Sequence, residues 1–179
     1  SVASMDYMFL DAASFKHQLC GDDWVNSKAS KRNMFKGSSG SILRSVCSTT
    51  AAFQSSVELK DAVDACLKEF PAKGDCFNSS YGPITEWDVS SVDKMSGIFA
   101  NSNSFDGDLS KWDVSSVTSM SRMFMRATAF NGDVSKWDVS SVTTMDDMFL
   151  HAASFNRKLC EAAWVNSKAS KKNMFGGSS

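Results

Sequence analysis

The sequence predicts an α/β repeat solenoid: right-handed coils of short parallel strand plus short helix, with an α-helical N-terminal cap in each 140-residue unit. Three observations carry this reading. Residues 87–155 say nearly the same thing three times at a fixed 25-residue step, headed by Trp87, Trp112 and Trp137, and the first two copies agree at 14 of 25 positions. Within each copy apolar residues recur at three- and four-residue steps. Residues 1–39 return at 141–179 with 27 of 39 positions identical, so a larger unit of 140 residues contains the coils. A repeat of 20–30 residues is one layer of a stack and cannot bury its apolar side alone.

The second copy shows how each coil is read. Val117, Met120, Phe124 and Ala127 lie at the spacing of one face of a short helix, and Ser115 and Ser116 are natural N-caps for it. Asn131-Gly132-Asp133 turns the chain, and Val134 to Lys136 alternates as a very short strand would. Stacking in register puts Trp87, Trp112 and Trp137 in one ladder. Phe99, Phe124 and Phe149 form a second, and Phe105, Phe130 and Phe155 a third. These ladders are the expected core.

Domain organisation follows from the longer repeat. Residues 1–39 read as the last coils and closing cap of a preceding unit, because Trp24 to Phe35 mimics Trp112 to Phe124 one residue short and is rich in lysine. Residues 40–86 read as a joint and helical cap. Here Val57, Leu59, Ala62, Val63, Cys66, Leu67 and Phe70 make an apolar stripe, Ser55 and Glu58 fit a capping box, and Pro71 stops the helix. Residues 87–179 read as three coils plus the closing cap of a second unit. The expectation is a window onto a longer tandem array, with any targeting segment outside it.

The run WDVSSVTSMSRMF…AFNGDVSKW resembles the BspA-like leucine-rich-repeat surface proteins, whose repeat carries the same Trp-Asp-x-Ser-x-Val-x-x-Met-x-x-Met-Phe core. Leucine is largely replaced here by Met, Val and Phe. The resemblance implies leucine-rich-repeat-like coils, a cell-surface or secreted setting and a part in adhesion. It implies no enzymatic activity and brings no catalytic residue to any position of this chain.

Cysteine count points to the same compartment. One unit contributes Cys20, Cys47, Cys66 and Cys76, and Cys160 repeats Cys20. Four cysteines allow three pairings; Cys66–Cys76 with Cys20–Cys47 is the favoured one, and five buried free thiols in a reducing compartment is the alternative. Disulfides imply an oxidising, extracellular setting. Asn78-Ser79-Ser80 is an N-glycosylation sequon in an expected loop, consistent with export.

Other chemistries find little support. The 179 residues carry a net charge of −1 at 42% hydrophobic content, so nothing attracts nucleic acid or an anionic membrane, and no apolar run suits a transmembrane segment. His17 and His151 lack a Ser, Cys or Asp at a suggestive spacing, and no phosphate loop or metal-ligand spacing occurs, so no catalytic residue, cofactor or metal site is assigned. Asp88, Asp113 and Asp138 form one carboxylate column, and Asp108 and Asp133 part of another. Such columns can hold calcium, but an Asp at a turn also receives local backbone N–H groups, which is the favoured reading. Serine columns at 90, 115, 140 and 91, 116, 141 raise a third reading, a face for sugar or ice, although helix capping accounts for them.

The expected function is therefore a non-catalytic structural and adhesive module of a long tandem-repeat extracellular protein. Its partners would be its own tandem units or like chains, building a fibre or coat. The alternative is an adhesin that presents its face to a glycan or protein on another cell.

Overall fold

The computed structural model describes residues 2–15, 18–19, 24, 26–42, 52–70, 76 and 81–178. The chain divides into two compact units, Ser1–Thr49 and Thr50–Ser179. Among the described residues the first unit holds one parallel pair of two-residue strands, β1 (Gln18–Leu19) against β2 (Ser41–Ile42). The second holds helix α1 (Ser56–Glu69), a 3-10 turn at Ile84–Glu86 and the short helix α2 (Ala162–Asn166). Most of the other described residues lie in turns, bends and irregular chain.

This corrects the fold class. The chain is not a repeat solenoid of strands and helices. The segment from Val117 to Ala127, expected as a helix, is a ribbon of overlapping turns. Met123, Met125 and Ala127 donate their N–H groups three residues back, to Met120, Arg122 and Phe124. Met120, Arg122, Phe124 and Arg126 send theirs to the carbonyls of Thr144, Asp146, Met148 and Leu150 in the following repeat, at 2.8 to 2.9 Å. An isolated helix of this length would be marginal, because nucleation is costly. The ribbon instead gives half its donors to the neighbouring layer. The expected strand from Val134 to Lys136 is a turn as well, closed by Trp137 N–H to Val134 C=O. Strand-like contact between repeats shrinks to single parallel bridges, Lys94 to Ser119 to Thr144 to Ser170.

The ribbon has a backbone signature. In alternate turns the third residue has positive φ, as a type II turn requires: Gly97 and Asn101, Arg122 and Arg126, Asp147 and His151, Asn173 and Gly177. An arginine there costs roughly 1–2 kcal/mol, which the bonds to the next layer must offset. The helical spacing misled because apolar residues at steps of three and four also face one way along such a ribbon. Met120, Met123, Phe124 and Ala127 are all fully buried.

Side chains repeat with the backbone. Phe99, Phe124 and Phe149 stack at 5.4 Å with planes within 6°. Phe105, Phe130 and Phe155 stack beside them at 5.7 and 6.0 Å. Trp87 stacks on Trp112 at 6.5 Å. A buried indole needs an acceptor, and each has one: Trp112 donates to Ile84 C=O, Trp137 to Leu109 C=O and Trp164 to Val134 C=O, at 2.8 to 3.1 Å. The ladder is thus apolar stacking with a fixed polar register.

Helix α1 starts where Ser55 Oγ accepts Glu58 N–H, while the Glu58 carboxylate takes Gln54 N–H instead of closing the full capping box. It buries Leu59, Ala62, Val63 and Cys66 but leaves Val57 exposed. Phe53, buried against Trp87 and Tyr81, joins the same core and donates its N–H to Asp88 C=O. Cys66 is disulfide-bonded to Cys76, with Cα atoms 5.4 Å apart and both residues buried.

The first unit repeats the end of the second in detail. Met5, Tyr7, Phe9 and Asp11 donate to Ser30, Arg32, Met34 and Lys36, as Met145, Asp147, Phe149 and His151 donate to Ser170, Lys172, Met174 and Gly176. Each pair is offset by 140 residues. Phe124 sits between Phe99, Phe130 and Phe149, so Phe124→Ala should cost about 3–5 kcal/mol, read as a lower denaturant midpoint at unchanged slope.

Candidate functional site

The repeat brings three kinds of polar group to the surface in register. The first is an Asp-x-Ser turn. The Asp113 carboxylate accepts Ser115 N–H at 3.0 Å and Ser115 Oγ–H at 2.7 Å. Asp88 does the same with Ser90 at 3.1 and 2.6 Å, and Asp108, Asp133 and Asp138 accept the N–H of Ser110, Ser135 and Ser140. The serine column at 90, 115 and 140 is therefore a set of turn partners and not of helix caps: Ser115 lies in the Asp113 turn. The serine hydroxyl and N–H hold the carboxyls of Asp108, Asp113 and Asp138 below the usual value. For Asp133 the Ser135 N–H leads and its hydroxyl follows.

A second group joins successive layers. Asp146 accepts Ser170 Oγ–H at 2.5 Å and Lys172 N–H at 2.9 Å. In the first unit Asp6 accepts Ser30 Oγ–H and Arg32 N–H in the same way. Both carboxyls are lowered, first by the serine hydroxyl and then by the backbone donor. Thr118 and Thr143 hydroxyls donate to Asp93 and Thr118 carbonyls one layer back, each at 2.9 Å.

The third is an open groove of ≈ 670 Å³ that runs across the layers, lined by Ser96, Gly97, Ser121, Arg122, Asp146, Asp147 and Lys172. Its charges balance. Arg122 Nε lies 3.2 Å from the Asp147 carboxylate, and the Ser121 and Thr144 hydroxyls are 2.9 Å apart. Most of its polar groups already serve neighbouring layers. Sequence reasoning did not single out this column, although the 25-residue register alone aligns Ser96, Ser121 and Asp146. A smaller groove of ≈ 390 Å³ lies where α1 meets the turn at residues 100–105, next to Leu67 and Lys68.

The remaining sequence-predicted positions fall as follows. Cys20, Cys47, Asn78, His17 and Pro71 lie outside the described residues. Cys160 is an exposed free thiol. His151 is exposed, holds a left-handed turn position and donates its N–H to Gly176 C=O. Among the described residues no group of three or more His, Cys, Asp or Glu is placed to hold a metal ion. No helix among them is long and apolar enough to cross a membrane.

A family described as "Mycoplasma protein of unknown function, DUF285" matches residues 1–60 and 70–179. No curated protein and no solved structure matches the chain.

The lowered Asp values fix a pH dependence. A carboxyl whose folded value lies below its ordinary 3.8 adds stability above that pH, and the contribution is lost as pH falls through the folded value. Thermal melts from neutral to acid pH should show Tm falling through this window. Asp113→Asn should lower Tm at neutral pH and flatten its acid slope, while an unchanged slope would mean the Asp113 turn contributes no linked stability.

Proposed function

We propose that this chain, which belongs to the DUF285 family over almost its whole length, is a non-catalytic structural and adhesive module of an extracellular or cell-surface tandem-repeat protein. The observation that carries the reading is that the same backbone bonds recur at 25-residue steps and again at a 140-residue offset. Such regularity suits repeated presentation of one face, in which weak contacts add through multivalency. A fibre or coat made from like units is the form it favours. The face itself supports this: it is charge-balanced, rich in Ser, Thr and Asp, and has its polar groups engaged between layers.

Export is part of the proposal. The disulfide between buried Cys66 and Cys76 supports an oxidising setting. The resemblance to BspA-like surface proteins, carried by the Trp-Asp-Val-Ser-Ser-Val repeats, agrees with it.

The alternative, an adhesin for a glycan or protein on another cell, draws on one observation. The open groove of ≈ 670 Å³ across Ser96, Ser121, Arg122 and Lys172 offers hydroxyl and charged groups to a polar ligand. Electron microscopy of the protein isolated from its source separates the two. Fibres or sheets with a regular axial repeat are expected. Isolated particles with no ordered contacts would count against the building role and turn the search towards a ligand.

A further inference from the structure

We propose that Asn131 is a self-modifying site, at which the Gly132 backbone nitrogen attacks the Asn131 side-chain amide and water then converts it to a carboxylate. The reaction needs no second copy of the chain and no ligand other than water.

The Asn131-Gly132 pair sits in a column of bonds between layers. The Asp106 carboxylate accepts Asn131 N–H at 2.9 Å, and Asn131 Oδ1 accepts Asn156 N–H at 3.2 Å. Arg157 Nε donates to the Asn131 main-chain carbonyl at 2.8 Å. Asn131 and Gly132 are both half-buried and lie in irregular chain. Among the described residues neither Gly132 N–H nor Asn131 Nδ2 has a hydrogen-bond partner. The nucleophile and the leaving group are thus both unheld.

Each charge that develops meets a donor. Attack begins when the Gly132 nitrogen loses its proton to solvent base. The charge of that peptide anion spreads onto the Asn131 carbonyl oxygen, where the Arg157 guanidinium already donates, and a charged donor makes the stronger bond. The nitrogen then bonds to Cγ, and charge collects on Oδ1, where Asn156 N–H donates. Donors placed in advance at such oxygens lower the barrier. The Cγ–Nδ2 bond breaks, and ammonia leaves with the proton that the nitrogen gave up, closing a succinimide ring. Water adds at Cγ, the bond from the Gly132 nitrogen to Cγ breaks, and that nitrogen takes a proton back. One water is consumed and one ammonia released, with no change in oxidation state.

The fold singles out this residue. Glycine at 132 leaves room for the attack, and packing requires it there, since a Cβ would lie 2.8 Å from the Phe130 ring and 3.2 Å from Gly107 C=O. Asn156, one layer on, is followed by Arg157. At Asn33, Asn101 and Asn173 the next N–H closes a turn, to the carbonyls of Lys31, Phe99 and Lys171. One layer back, Asp106-Gly107 already carries a carboxylate in the same column, holding the Asn131 N–H. An aspartate at position 131 would hold Asn156 N–H in the same way. Ring opening at the other carbonyl gives isoaspartate, which adds a backbone methylene beside Phe130, a ring stacked between Phe105 and Phe155.

The test incubates the 179-residue chain at neutral pH, folded and in urea, beside Arg157→Ala and Arg157→Lys. Peptide mapping by mass spectrometry follows each asparagine and separates aspartate from isoaspartate. Asn131 should convert in the folded chain at least as fast as in urea, with aspartate a larger share of the product. Arg157→Ala should slow the folded rate several-fold and leave the rate in urea unchanged, and Arg157→Lys should recover part of it. Arg157 is exposed, so an unchanged thermal transition shows that both variants are folded. An Asn131 that persists in the folded chain would overturn the proposal, and so would a folded rate indifferent to Arg157. A product no richer in aspartate than that formed in urea would remove the part assigned to the Asn156 N–H.

Discussion

The structure depends on how each repeat divides its backbone hydrogen bonds. Alternate N–H groups close turns within a layer, and the others cross to the next layer. This fixes the vertical register of everything attached to the backbone. The tryptophan ladder depends on it, since the buried indoles of Trp112 and Trp137 each meet a carbonyl one layer back. The phenylalanine ladders depend on it too, because parallel rings 5.4 Å apart need equal steps between layers.

The same division explains what could be read from the residues and what could not. The 25-residue period and the apolar positions on it were visible, because stacking demands identical residues at identical steps. The conformation between them was not. Met120, Phe124 and Ala127 have helical spacing, yet Arg122 and Arg126 sit at positive φ, and nothing in an arginine announces that. The signal was present elsewhere in the column, in Gly97, Asn101, Asn173 and Gly177, residue types that tolerate the left-handed region. Reading the column across repeats would have exposed the turn.

Of the surface, the turn role of Asp88, Asp113 and Asp138 was legible, since an Asp at a turn has an obvious local use, but their serine partners were read as helix caps. The groove at Arg122, Asp146, Asp147 and Lys172 was not, because its residues differ from one layer to the next and only the register unites them. On the proposed reading, function comes from what repetition does to a surface.

Residue-resolved amide hydrogen exchange tests the central claim most directly, that bonds between layers hold the repeats. In dilute protein, where contacts between copies are absent, the account predicts strong protection of the Phe99, Phe124 and Phe149 N–H groups. Phe175, at the same repeat position but with no acceptor for its N–H among the described residues, should exchange rapidly. Equal protection at all four positions would contradict it, because the bonds would then lie within each repeat, as in the helix this chain does not form.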